Sequence, residues 1–172
     1  MTEEILALEA FLPYRLNRIA DAVSQDFARL YKERHGLTRP EWRTFATLGQ
    51  YGTMTATAIG EHSSMHKTKV SRAVAELEKR KWLVRETVSG DRRVENLTLT
   101  KAGRQIYREM VPLAKGFEAK LLERMSAPDR AAVAAGIAAL EKLLKLRGAK
   151  VSPDGADSRG AAVSGGPRVR SL

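Results

Sequence analysis

At Trp82 the apolar spacing of this chain changes from helical to alternating, and at Thr100 it changes back; no other feature restricts the fold as strongly. The stretch Trp82-Leu83-Val84-Arg85-Glu86-Thr87-Val88 is β-branched and apolar, and Val94-Glu95-Asn96-Leu97-Thr98-Leu99 alternates apolar with polar residues. Between them Ser89-Gly90-Asp91-Arg92-Arg93 holds the Gly and Asp of a hairpin turn. A single hairpin set within helical sequence predicts a mainly α chain with a small β-hairpin, its helices divided into a set before the hairpin and a set after it.

The first set opens with a long stripe: Leu8, Phe11, Leu12, Leu16, Ile19, Val23, Phe27, Leu30 and Tyr31 recur at helical spacing. Pro13 either starts or kinks this helix, and Gly36 stops it. A stripe so wide must be covered, either by ordinary core packing or by a second copy of the chain. Thr38-Arg39-Pro40-Glu41 has the form of a capping box with proline in the first turn. The helix it opens uses Trp42, Phe45, Ala46 and Leu48, and Gly49 to Gly52 should end it. A short helix fits Thr55 to His62 with Ala58 and Ile59 inward, and Ser63-Ser64 makes a polar turn. The next helix, from about His66 to Arg80, has Val70, Ala73, Val74 and Leu77 on its inner face.

Beyond the hairpin, Thr100 caps a helix from Lys101 to Arg124 carrying Ile106, Met110, Leu113, Phe117 and Leu121 on one side. Pro112 and Gly116 predict a bend in it. Ser126-Ala127-Pro128-Asp129 begins the last helix, whose stripe is Ile137, Leu140, Leu143 and Leu144. After Gly148 the chain is Gly, Ser, Ala, Pro and charge without period, the composition of a disordered tail.

Charge now narrows the partner. Thirty Lys and Arg against 20 Asp and Glu leave a formal charge of +10, which suits a polyanion, either nucleic acid or an anionic membrane surface. The absence of cysteine excludes disulfides, thiolate zinc sites and thiol chemistry. Met1 to Glu4 are acidic, and no apolar run approaches the ~18 residues of a membrane span, so a soluble, cytoplasmic protein is expected. With no Gly-rich phosphate loop and no nucleophile–base spacing, an enzyme is not expected, nor is a cofactor. His35, His62 and His66 are too scattered to predict a metal site.

Two short helices joined by a tight turn and followed by a hairpin make a winged helix-turn-helix. The second helix of such a unit enters the major groove N-terminus first. Here that end presents His66, Lys67, Thr68, Lys69, Ser71 and Arg72, with Ser64 in the turn before it. From residue 66 to 93 there are nine cations (Lys67, Lys69, Arg72, Lys79, Arg80, Lys81, Arg85, Arg92, Arg93) and four acids (Glu76, Glu78, Glu86, Asp91), a net of +5. A solvated basic face would show the same count. Arg92 and Arg93 at a hairpin tip suit the negative minor groove. Asp91 fits either as the partner that aims an arginine or as plain turn chemistry.

His66-Lys67-Thr68-Lys69-Val70-Ser71-Arg72, the following Leu77-Glu78-Lys79-Arg80 and the loop Asp91-Arg92-Arg93 resemble the recognition helix and wing of the MarR family. Asp91 and Arg93 match that family's Asp-x-Arg wing motif, and Leu97-Thr98-Leu99-Thr100-x-x-Gly103 resembles the strand-to-helix segment after it. The likeness in element order runs from about residue 5 to 147, and the specific motifs lie between 60 and 104. Lys69 departs from it, standing where the family more often has a small polar residue. The resemblance implies a homodimer of interlocked terminal helices on a pseudo-palindromic operator of double-stranded DNA, usually as a repressor released by a small effector. It divides the chain into a dimerisation helix (1–36), a DNA-binding winged domain (37–100), C-terminal dimerisation helices (101–147) and a tail (148–172). A ligand pocket between the dimerisation helices and the winged domain is also implied. Arg15, His35, Trp42, Arg43 and Phe45 are its candidates, a mixture of cations and aromatics suited to an aromatic carboxylate or a similar anion; Trp42 and Phe45 at helical spacing are more often plain core. The rival reading is a non-specific nucleic-acid-binding or architectural winged helix. An RNA reader is less suited, since aromatics are only 6% and lie mostly on apolar faces.

Overall fold

The computed structural model describes residues 5–88 and 91–146, without the side chains of 88 and 91–94. Helix α1 runs over Leu12–His35 and α2 over Arg39–Tyr51; strand β1 is Met54–Thr55. Helices α3 (Ala56–Ser63) and α4 (Lys67–Lys79) follow, then β2 (Leu83–Val88), β3 (Asp91–Leu99), α5 (Lys101–Glu123) and α6 (Ala127–Leu143). The architecture is mainly α with a small antiparallel sheet, the winged helix-turn-helix expected from the order of periods.

Pro13 starts α1 rather than kinking it, and Gly36 ends the helix in the left-handed conformation with φ of 62°. The capping box of Thr38 and Glu41 forms, the Glu41 carboxylate accepting the Thr38 N–H at 3.0 Å. Helix α2 ends within the expected Gly49 to Gly52 stretch, but it continues through Gly49. A Cβ at Gly49 would lie 2.3 Å from the Tyr107 ring, so this glycine lets α2 and α5 approach rather than ending the helix. Gly52, with φ of 78°, makes the stop.

The hairpin is one strand larger than expected. β1, two residues long, pairs with β3 at Met54–Leu97 and Thr55–Asn96, giving the order β1-β3-β2. Two residues are too few for an alternation to show in sequence. β3 also takes in Asp91, Arg92 and Arg93, which the sequence reading had placed in the turn. Val88 pairs with Asp91 after a register irregularity at Thr87, so only residues 89 and 90 connect the strands. Helix α5 runs through Pro112 without interruption.

One core fills the space between α2, α3, α4, the sheet and the near ends of α1 and α5. Phe45, Ile59, Val70, Val74, Leu77, Leu97 and Met110 are buried there, with Tyr31 from α1. Each such side chain contributes about 1.5–3 kcal/mol through burial. The apolar stripes of α1 and α6 end differently: Leu12, Leu16 and Ile19 are exposed, as are Val133, Ile137 and Leu143. No residue of α6 is buried.

Candidate nucleic-acid interface

Local chemistry builds the helix-turn-helix. Thr55 caps α3, its hydroxyl accepting the Ala58 N–H at 3.2 Å. At its other end Ser64 adopts φ of 52°, and a Cβ on Gly60 would come to 3.0 Å from the Met65 carbonyl, so small residues permit this turn. Arg43 of α2 donates to the Ser63 carbonyl at 3.3 Å and holds the turn to the domain. His66 then opens α4, its Nδ1 accepting the Thr68 N–H at 3.4 Å.

The two sides of α4 differ sharply. Val70, Ala73, Val74 and Leu77 are buried, as their spacing predicted. Ser64, His66, Lys67, Thr68, Lys69, Ser71 and Arg72 are all exposed. Among the described residues no acid lies within ion-pair distance of Lys67, Lys69 or Arg72. Free cations and hydroxyls thus gather at a helix N-terminus, where the macrodipole is positive as well. Such an end attracts phosphate and offers donors to base edges.

Two arginines in the basic count do otherwise. Arg85 of β2 makes a two-toothed contact with Glu78 of α4, at 2.9 and 2.6 Å, and a third bond to Glu95 of β3 at 2.8 Å. These carboxylates hold its guanidinium protonated well beyond the ordinary arginine range. Arg80 turns back toward the C-terminus of α1, donating to the carbonyls of His35 (2.5 Å) and Gly36 (3.0 Å). The sequence reading counted both as surface charge; Glu78 seven residues before Arg85 was the available signal for the first, and nothing local signalled the second. The backbone of Asp91, Arg92 and Arg93 lies in β3, and their side chains fall outside the described residues.

The five candidate ligand residues do not converge. Phe45 is fully buried in the core, its ring 5.7 Å from Trp82 and 6.2 Å from Tyr107. Trp42 stacks on Tyr31 at 5.5 Å, and His35 sets its ring edge-on to Trp82 at 6.0 Å. Arg15 borders a cavity of about 350 Å³ on the exposed side of α1, with Tyr14 and Arg18. Arg43 lines a different one, of about 270 Å³, where Asp21 of α1, Arg39 of α2, Ser64, His66 and Lys69 meet. Arg39 donates to Asp21 at 2.8 Å, while its buried Nε has no hydrogen-bond partner among the described residues. Tyr31 feels this charge: burial raises its phenol pKa, and Arg39 and Arg43 pull it back. Among the described residues no three His, Asp or Glu side chains are grouped to hold a metal ion, and no helix is long and apolar enough to cross a membrane.

Residues 35–94 match the model of the MarR family. The structure is similar to that of a MarR family transcriptional regulator from Silicibacter pomeroyi DSS-3, at 26% identity and a TM-score of 0.70, over 81% of this chain and 99% of that one. A second MarR family regulator, from Silicibacter pomeroyi DSS, is 27% identical with a TM-score of 0.66, over 80% of this chain and 90% of that one. The S. aureus MepR–DNA complex shares the fold at 20% identity and a TM-score of 0.66, over 78% and 98% of the two chains. No curated protein matches the chain.

Proposed function

We propose, from a winged helix that is MarR-type over residues 35–94, that the protein is a cytoplasmic transcription regulator which binds a pseudo-palindromic DNA operator as a homodimer. The observation that carries this reading is the N-terminus of α4. Lys67, Lys69 and Arg72 stand exposed and unpaired among the described residues, on a helix fixed from behind by Val70, Val74 and Leu77. Lys67 and Lys69 bind phosphate, and Thr68, Ser71 and Arg72 reach base edges. Asp91, Arg92 and Arg93 add the wing contact. That a structural relative, MepR, was solved on DNA supports this use of the fold.

The dimer rests on the exposed stripes. Leu12, Leu16 and Ile19 of α1 and Ile137 and Leu143 of α6 leave apolar faces that a second copy covers. Residues 37–100 are then the DNA-binding unit and the terminal helices the dimerisation unit. Two-fold symmetry sets the recognition helices about 34–36 Å apart, one turn of duplex.

The regulator acts as a repressor released by a small anion. Its site is the cavity where Arg39 and Arg43 face Lys69 and His66, with Asp21 the one acid in the lining. The unpaired Nε of Arg39 is a donor for a carboxylate, and an anion held there pulls on the start of the recognition helix. Of the five residues named from sequence, Arg43 is the one in this lining. Benzoate should lower operator affinity in the native chain and lose that effect in Arg43→Ala; an equal response of both would remove the cavity from the mechanism.

The decisive test is titration of the protein with duplex from immediately upstream of its own gene and with an unrelated duplex, at two salt concentrations. Preference for the first duplex that survives higher salt supports an operator-binding regulator. Equal binding that collapses with salt leaves only the electrostatic contribution, and an architectural protein.

A further inference from the structure

The end of the recognition helix is tied more elaborately than its start. Lys81, just beyond the last turn, has φ of 61°, unusual for a residue with a side chain, so the chain leaves α4 in one fixed direction. The Lys81 carbonyl accepts the Thr100 hydroxyl at 2.8 Å, and the Trp82 carbonyl accepts the Thr100 N–H at 3.0 Å. A Cβ on Gly103 would sit 2.1 Å from that same Trp82 oxygen, so α5 begins hard against this turn. Arg80 lies at the joint. Its guanidinium donates to the last carbonyls of α1, at His35 and Gly36, and rests 5.3 Å from the Trp82 ring. It also stands 3.8 Å from Glu41, which is nearly buried and caps α2. One planar group with five donors thereby joins α1, α2, α4 and the turn that opens α5.

We infer that Arg80 is a positioning residue that fixes the recognition helix relative to the dimerisation helices and so sets which half-site spacing the dimer accepts. The inference rests on the dimeric, operator-binding reading above. Its geometry favours positioning over DNA contact, because the guanidinium is turned toward α1 and both of its terminal nitrogens donate there. A lysine would keep the charge and the stem but lacks the fork that spans two carbonyls.

Two measurements on the full chain test this. In the first, Arg80→Met and Arg80→Lys are titrated with the upstream duplex and with versions carrying one base pair more or fewer at its centre. Wild type should lose about tenfold on either change of length, as one mismatched contact set costs. Arg80→Met should bind the native duplex about tenfold more weakly, for the loss of charge-assisted bonds, yet discriminate spacing less than about threefold. Its salt slope should stay that of wild type, since no phosphate contact is removed. The second needs no DNA. The chain has no cysteine, so Ala75→Cys on the exposed side of α4 places one spin label in each protomer. The distance distribution between the two labels should be narrow in the Arg80 chain and broad in both variants. Unchanged spacing preference or an unchanged distribution in Arg80→Lys, which retains the packing stem if Arg80→Met fails to fold, overturns the inference. Failure of wild type to bind any duplex removes the function while the label distances still decide the role of Arg80. Absence of any inter-label distance in wild type removes the dimer and this role together.

Discussion

The winged domain and the terminal helices carry the same kind of apolar period and end in opposite states. In α4 the residues at positions 70, 73, 74 and 77 are all closed into the core. In α6 Val133, Ile137 and Leu143 are open, and in α1 the side chains packed on the core lie toward the wing, at Phe27 and Tyr31. Hydrophobic periodicity states that a face needs cover, not where the cover comes from. Within one protomer the winged domain supplies its own; the far ends of α1 and α6 have none among the described residues. The division is what the proposed dimer requires: a winged domain finished within one chain and terminal helices that a second copy completes.

The sharpest way to break that comparison is to damage the closed side. Phe45 is wholly buried against Trp82 and Tyr107, so Phe45→Ala should cost about 3–5 kcal/mol of stability through lost transfer energy and a residual cavity. Urea unfolding followed by tryptophan fluorescence reads this, since Trp42 and Trp82 both belong to the affected packing. A loss below about 1 kcal/mol would mean that the winged core is looser than its burial indicates.

The open side should behave differently. Ile137 is 53% exposed, so Ile137→Asp leaves each protomer's core intact. If a second copy covers α6, the same change puts a charge into an apolar interface and shifts dimer toward monomer, by about 2–4 kcal/mol of association energy. Light scattering across a dilution series measures the shift, and circular dichroism should show the helices retained. An unaltered dimer would move the interface away from α6.

How far this contrast was legible in sequence depends on the range of each interaction. The inner face of α4, the cap at Thr100 and the capping box at Thr38 and Glu41 were readable because their causes lie within a few residues. The stop within Gly49 to Gly52 was legible, but the role of Gly49 itself was not, because its reason, the Tyr107 ring, is 58 positions away in the chain. β1 was missed because its two residues are specified by pairing to β3 rather than by their own pattern. Of the site, the exposed row from His66 to Arg72 was legible from periodicity alone. That the five ligand candidates lie apart was not, since a mixture of cations and aromatics in sequence cannot distinguish a cavity wall from the aromatic cluster of Tyr31, Trp42 and Phe27. In sequence Arg80 and Arg85 are only two of nine cations in a basic stretch; their carbonyl and carboxylate partners are supplied largely by other elements.

Arg85 gives the smallest effect and the finest test of how rigid the closed side is. It spans from the recognition helix at Glu78 to the wing strand at Glu95, on a surface where all three side chains are partly exposed. Water screens such pairs, so the network should contribute only about 0.5–1 kcal/mol to folding despite its two-toothed geometry. On the operator-binding proposal its larger role is in angle: without it the sheet would be free to swing relative to α4, and the wing would no longer meet DNA in register with the helix. Arg85→Gln should therefore lower affinity for the upstream duplex by about fivefold, a loss of the size expected of an exposed charged pair. Binding to unrelated duplex and the salt slope should hold, because a cation already neutralised by two carboxylates releases no counterions on binding. Were Arg85 instead a phosphate contact, the slope would fall by about one unit and both duplexes would weaken together. The two outcomes separate a charge that reads DNA from a charge that aims the part which does.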